Sequence, residues 1–151
     1  MKNIIIALDQ NTSAEAVAAL GYAIAKGMNA SVTLVHVLYD AAYYAANYSP
    51  LNELKGIYTE VTVELIEEIK KEAEKFLESA RAALQDNTVK TVLLEGDIET
   101  SILEFATDQQ ADLIVMGSHR HHGLGNLFLP DVAVHILKHT KIPLLTVPTK
   151  E

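Results

Sequence analysis

The 151-residue chain carries 20 acidic and 12 basic residues, a formal net charge of −8, 49% hydrophobic residues and no cysteine. The length fits one domain that buries about two thirds of its unfolded surface, and the missing thiols exclude a disulfide framework, a cysteine zinc site and a cysteine nucleophile. The acidic balance argues against nonspecific nucleic-acid binding, and no leader pattern or membrane-length apolar run is present, so the expectation is a soluble, cytoplasmic protein with no membrane partner.

Lys2 to Leu8 contains Ile4-Ile5-Ile6-Ala7-Leu8 and reads as a buried first strand that delivers Asp9 at its carboxyl end. Thr12 and Glu15 have capping-box spacing, and the alanine-rich stretch to Lys26 reads as a helix closed by Gly27. The second strand, Ser31 to Leu38, brings His36-Val37 near Asp9 if the two strands are neighbours. Asp40 to Gly56 is irregular, with Tyr43, Tyr44, Tyr48 and Pro50, and reads either as a loose connection or as a ligand-covering lid.

From Thr59 to Leu84, Val61, Leu65, Ile69, Ala73, Phe76, Leu77, Ala80 and Leu84 recur at helical spacing, while Glu64, Glu67, Lys70, Lys71, Glu74 and Lys75 form a solvated outer face. Val89 to Leu94 is the third strand. It leads through Glu95-Gly96-Asp97 into a helix with Ile98, Ile102, Phe105 and Ala106 on its apolar face. Leu113-Ile114-Val115-Met116 is continuously apolar, as in a parallel strand buried on both faces, and Gly117 is expected to turn the chain. After the loop to Leu129, Pro130 opens a helix whose stripe is Val132, Ala133, Ile136 and Leu137. Lys141-Ile142-Pro143 stops it, and Leu144 to Val147 is the last strand. Strands alternating with helices predict an α/β domain with a parallel sheet and right-handed crossovers, and ligands bind such sheets beyond the carboxyl ends of the strands. The 117–129 loop is therefore the first candidate site.

The segments Ile4 to Asp9, Leu34-Val35-His36-Val37, Glu95-Gly96-Asp97 and Ala111 to His119, followed by Val132-Ala133, Ile136-Leu137, His139 and Ile142 to Leu145, resemble the universal stress proteins over nearly the whole chain. The resemblance implies a three-layer, doubly wound, five-stranded parallel sheet of order 3-2-1-4-5, like that of the adenine nucleotide alpha hydrolases. It also implies a homodimer joined through Leu144-Val147 and a role in stress resistance, alone or with a protein partner, rather than a defined reaction.

Many members of that family bind ATP with a pattern of glycine, two residues, glycine, nine residues, then glycine and serine or threonine, which brings backbone N–H groups and a helix N-terminus to the phosphates. Carried over, the pattern falls on Gly117, Arg120 and Pro130-Asp131, with Ser118 and His119 inside it. Arg120 adds a guanidinium that can grip phosphate, whereas Pro130 has no N–H to give. Asp131 would repel a phosphate at a helix N-terminus, and two negative charges about 4 Å apart cost roughly 4 kcal/mol at an effective dielectric of about 20. Gly123 and Gly125 offer a displaced turn.

The adenosine half is better kept. By resemblance Asp9 meets the ribose or base, the Val37 backbone meets adenine, and Met116-Gly117 line the pocket; as a plain strand-end residue Asp9 would cap the following turn. The expected function is thus a stress-response regulatory or interaction protein without productive ATP binding. The alternative is an ATP or AMP binder, with Mg²⁺, using a remodelled loop.

Three histidines, His119, His121 and His122, raise a metal site but read more simply as polar loop residues, since no fourth ligand is evident. His135 and His139, four apart, also have chelating spacing, yet they flank an apolar stripe near a helix C-terminus, and His36 reads as a hydrogen-bonded strand residue. Neither a metal nor a catalytic residue is expected. Ser118-His119 are sequence neighbours rather than a facing pair, and neither a nucleophile elbow nor a Walker loop is present.

Overall fold

In the computed structural model, residues 2–40, 58–119 and 132–149 are described. They form strand β1 (Asn3–Ala7), helix α1 (Ala14–Gly27), β2 (Ser31–Leu38), α2 (Tyr58–Ala83), β3 (Lys90–Glu95), α3 (Ile98–Asp108), β4 (Leu113–His119), α4 (Val132–His139) and β5 (Leu144–Thr149). All four strand pairings are parallel, and the order is β3-β2-β1-β4-β5. This is the 3-2-1-4-5 sheet that the resemblance implied. The Tyr43–Pro50 segment lies outside the described residues.

The run of isoleucines in β1 works because successive side chains leave a strand on opposite faces. Ile4 and Ile6 join Val17, Ala18 and Ala25 of α1 and Leu77 and Ala80 of α2 in one core. Ile5 and Ala7 join Ile102 and Ala106 of α3 and Ala133 and Ile136 of α4 in the other. Among the described residues two helices therefore cover each face, giving three layers. At Gly21 the packing is tightest, since a Cβ there would stand 2.6 Å from Ile6 Cδ1.

Three boundaries depart from the sequence reading. Helix α1 starts after Ser13, not at a Thr12 box: the Asn11 carboxamide oxygen accepts from Ser13 N–H at 2.9 Å, and the Ser13 side chain makes no cap bond. Gly27 does not reverse the chain. Asn29 does, at φ 54°, and the Ala30 N–H reaches back to the Ala25 carbonyl at 2.9 Å. Helix α3 ends the same way, with Gln110 at φ 51° and Ala111 N–H on the Ala106 carbonyl at 2.9 Å. Finally, β4 continues through Gly117 to His119 because β5 pairs with it as far as Thr149.

Polar ties hold the end of the sheet opposite the strand carboxyl termini. The Asp112 carboxylate accepts from Lys2 N–H at 2.6 Å and Asn3 N–H at 2.9 Å, joining the starts of β1 and β4. Asp86 accepts from Tyr22 Oη–H at 2.6 Å and from Thr88 N–H and Oγ1–H at 2.9 and 2.6 Å, fastening the α2–β3 turn to α1. Bonds of this kind favour the charged carboxylate. The Thr88 and Tyr22 donors hold the Asp86 carboxyl well below the usual range, and the Lys2 and Asn3 amides lower that of Asp112.

A carboxylate whose pKa is lower in the folded than in the unfolded chain contributes stability that is complete above the unfolded pKa, about 3.9, and is lost as pH falls through the folded value. The melting temperature should accordingly hold between about pH 7 and about pH 5 and then fall steeply with acid. Asp112→Asn should melt lower at neutral pH and show a shallower acid slope, both readable from circular-dichroism melts.

Candidate functional site

β1 runs into α1 on one face of the sheet, whereas its neighbour β4 leads toward α4 on the other. The chain therefore parts on either side of the β1/β4 boundary and leaves a crevice at the carboxyl ends of the strands. A cleft open to solvent occupies this place. Ala7, Leu8 and Asp9 supply its centre, Val35 and Val37 one flank, and Met116, Gly117 and Thr149 the other. Above the sheet it is bounded by Asn11, Ala14 and Val17 from the α1 side and by Ile98, Ile102 and Val132 from α3 and α4.

Four expected residues thus come together: Asp9, Val37, Met116 and Gly117 all line one cleft. Val37 and Met116 are buried, and Asp9 is exposed at the rim. Ser118 and His119 continue β4 just beyond, paired with Pro148 and Thr149. Arg120, Gly123, Pro130 and Asp131, together with Gly125, His121 and His122, lie outside the described residues.

The loop after Asp9 is organised by its own backbone and by Asn11. Asn11 N–H donates to the Asp9 carbonyl at 2.8 Å, and Ala14 N–H donates to the Asn11 carbonyl at 3.2 Å. Among the described lining residues Asp9 is the one charged group; the rest are mostly apolar, with Asn11 and Thr149 adding polar atoms. Such a surface suits a flat heterocycle with a few hydrogen-bonding groups.

Gly117 has a role different from the expected turn. A Cβ at this position would meet Thr149 Cγ2 at 2.9 Å and Val17 Cγ2 at 3.4 Å. The glycine lets β5 and α1 close on β4 beside the cleft. Buried Thr149 in turn donates from Oγ1 to the Ser118 carbonyl at 2.9 Å. Thr149 lies beyond the Leu144–Val147 strand expected from the sequence, because β5 continues through Pro148. An edge strand tolerates proline, and that was the available signal.

The helices beside the cleft are joined by side chains. Asp97 caps α3, accepting from Thr100 N–H at 2.9 Å and Thr100 Oγ1–H at 2.7 Å, and these bonds lower its pKa. Before it, Gly96 has φ 133°, a region that side-chain-bearing residues rarely adopt. His135 Nδ1–H of α4 donates to the Glu99 carboxylate of α3, and His139 Nδ1–H donates to the His135 carbonyl at 2.9 Å. The Nδ1 atoms of both histidines are thus engaged within the protein. Among the described residues no three His, Cys, Asp or Glu side chains are placed to hold a metal ion.

Comparison with known proteins agrees with this fold. A sequence model described as "Universal stress protein family" matches residues 1–148. The universal stress protein MJ0531 of Methanocaldococcus jannaschii is 36% identical over 118 residues, covering 75% of this chain and 69% of its own. The solved structure of MJ0577, also from Methanocaldococcus jannaschii, superposes with a TM-score of 0.75 at 25% identity, over 99% of this chain and 97% of its own. A universal stress protein of Archaeoglobus fulgidus, solved in complex with dAMP, shares the fold with a TM-score of 0.62 at 20% identity, over 97% of each chain.

Gly117→Ala should destabilise the protein by about 1–3 kcal/mol through overpacking against Thr149. Adding Thr149→Ser, which removes Cγ2 and keeps the hydroxyl, should recover most of the loss in urea denaturation.

Proposed function

The chain belongs to the universal stress protein family, and from that premise we propose that it is a cytoplasmic stress-response regulator whose cleft receives an adenine nucleoside without binding ATP productively. The observation that carries this reading is the character of the cleft: apolar walls, one carboxylate at the rim and no cationic side chain among the described lining residues. An adenine ring fits the slot between Val37 and Met116, and Asp9 accepts from ribose hydroxyls at the rim. Pro130 gives no N–H and Asp131 brings a negative charge to the helix N-terminus, so most of the family's phosphate cradle is lost and additional phosphates meet repulsion that the Arg120 guanidinium alone would have to offset. No helix among the described residues is long and apolar enough to cross a membrane. The reading assigns no catalytic residue, no metal and no nucleic-acid partner.

The relative solved with dAMP supports a second reading, in which Arg120 and the Gly123/Gly125 turn rebuild a place for phosphate and the protein takes AMP or Mg²⁺-ATP. The physiological state under the first reading is a homodimer paired through β5, whose outer edge has no neighbour among the described strands. A protein partner receives the nucleoside-dependent signal.

Calorimetric titration of nucleotide-stripped protein separates the two readings. Adenosine should give measurable heat, and Asp9→Ala should weaken it about tenfold or more, as expected for losing a charge-assisted hydrogen bond. ATP with Mg²⁺ should bind no more tightly than adenosine; ATP binding well above adenosine would establish the remodelled-loop reading. Light scattering after size exclusion should give twice the chain mass at micromolar concentration, and a monomer there would remove the β5 pairing.

A further inference from the structure

The β1–β2 ladder ends in an irregular way beside the cleft. Its last rung is Leu8 N–H to the Val35 carbonyl at 2.9 Å. In a parallel pair the N–H and C=O of one residue face the same neighbour, so the next rung would take the Val37 N–H to the Leu8 carbonyl. That carbonyl is instead held by a side chain: His36 Nδ1 lies 2.7 Å from it. A carbonyl only accepts, so Nδ1 carries the proton. The Val37 N–H does not make that bond to the Leu8 carbonyl, and the ladder stops at Ala7 and Val35.

His36 is well placed to impose this. It is 8% exposed, and its ring meets Phe76 of α2 edge-on, with centroids 5.5 Å apart and planes at 72°. Packing against α2 fixes the ring, and the fixed ring fixes the carbonyl. The consequence falls on the opposite side of β2, where Val37 lines the cleft with main-chain groups that face toward β1. Closing the ladder by one more rung would draw the Val37 N–H away from a ligand and shift Leu8-Asp9 toward β2.

We propose that His36 is a positioning residue: by holding the Leu8 carbonyl it stops the β1–β2 ladder one rung short and keeps the Val37 main chain open to the heterocycle of a ligand in the cleft. The ligand part of this inference rests on the adenine-nucleoside reading above, whereas the ladder part does not. His36 touches no ligand itself. Its effect is transmitted through Leu8 and the strand end.

The test compares wild type with His36→Phe, which keeps a ring beside Phe76 but has no donor, and with His36→Asn, whose side-chain N–H restores a donor near the Nδ1 position. Hydrogen exchange at the Val37 amide, followed by NMR without ligand, reads the ladder. The expected result is slowing of about tenfold or more in His36→Phe, with wild-type exchange in His36→Asn. Unchanged Val37 exchange in a folded His36→Phe protein would overturn the proposal, as would equal exchange in the Phe and Asn variants.

Adenosine titration is the second readout. His36→Phe should lose about tenfold in affinity while the fully folded fraction is unchanged, and His36→Asn should recover most of it. A lower melting temperature with unaltered adenosine affinity would mean a merely structural histidine and would also overturn the proposal. Wild-type protein that gives no adenosine heat would remove the nucleoside reading, and Val37 exchange would still decide the role of His36.

Discussion

β1 must serve two cores at once. It lies between β2 and β4, with Ile4 and Ile6 committed to the α1/α2 layer and Ile5 and Ala7 to the α3/α4 layer. From Ile4 to Ala7 every side chain is apolar and buried, and a slip of one residue would exchange the contents of the two layers. Both layers of helices take their position from this strand, and so does the direction in which each connection leaves the sheet. Even the closeness of α1 is set here, since Gly21 exists where Ile6 leaves no room for a Cβ.

The cleft is a by-product of that double commitment. Right-handed crossovers send the chain from β1 to one face and from β4 to the other, and adjacent strands whose continuations diverge cannot fill the space between them. What fills the crevice edges is then local chemistry: Asn11 folding the loop after Asp9, Thr149 closing on Ser118, and His36 occupying the Leu8 carbonyl. None of these three changes the fold. Each fixes a piece of backbone that borders the opening.

Elements whose apolar period or continuous apolar run settles their type were legible in the sequence: β2 begins and ends where Ser31 and Leu38 indicated, and α2 follows its helical stripe within a residue at each end. The family resemblance supplied the strand order, which periodicity does not contain. Two glycines end or line an element for a reason other than the one expected. α1 ends at Gly27, yet the reversal comes two residues later, where Asn29 adopts φ 54° and Ala30 bonds back to Ala25. Gly117 looked like a bend but is a clearance for Thr149 and Val17. In the site, Asp9, Val37, Met116 and Gly117 were named from the family resemblance, at strand ends that the apolar runs make visible, and all four line the cleft. Ile98, Ile102 and Val132 were not assigned to it, because an apolar helix face reads as core whether or not one end of it also borders a cavity.

Pro148 carries one further implication. Ile114 N–H donates to the Pro143 carbonyl, so in β5 alternate residues from Pro143 onward face β4, while Leu144, Thr146 and Pro148 present their main chains outward. The proline lies on the side where its missing N–H costs no bond within the sheet. It leaves the open edge with donors only at Leu144 and Thr146. Such a rim, open among the described strands, is too short in donors to template a growing stack of strands, and this guards the chain against fibrous self-assembly.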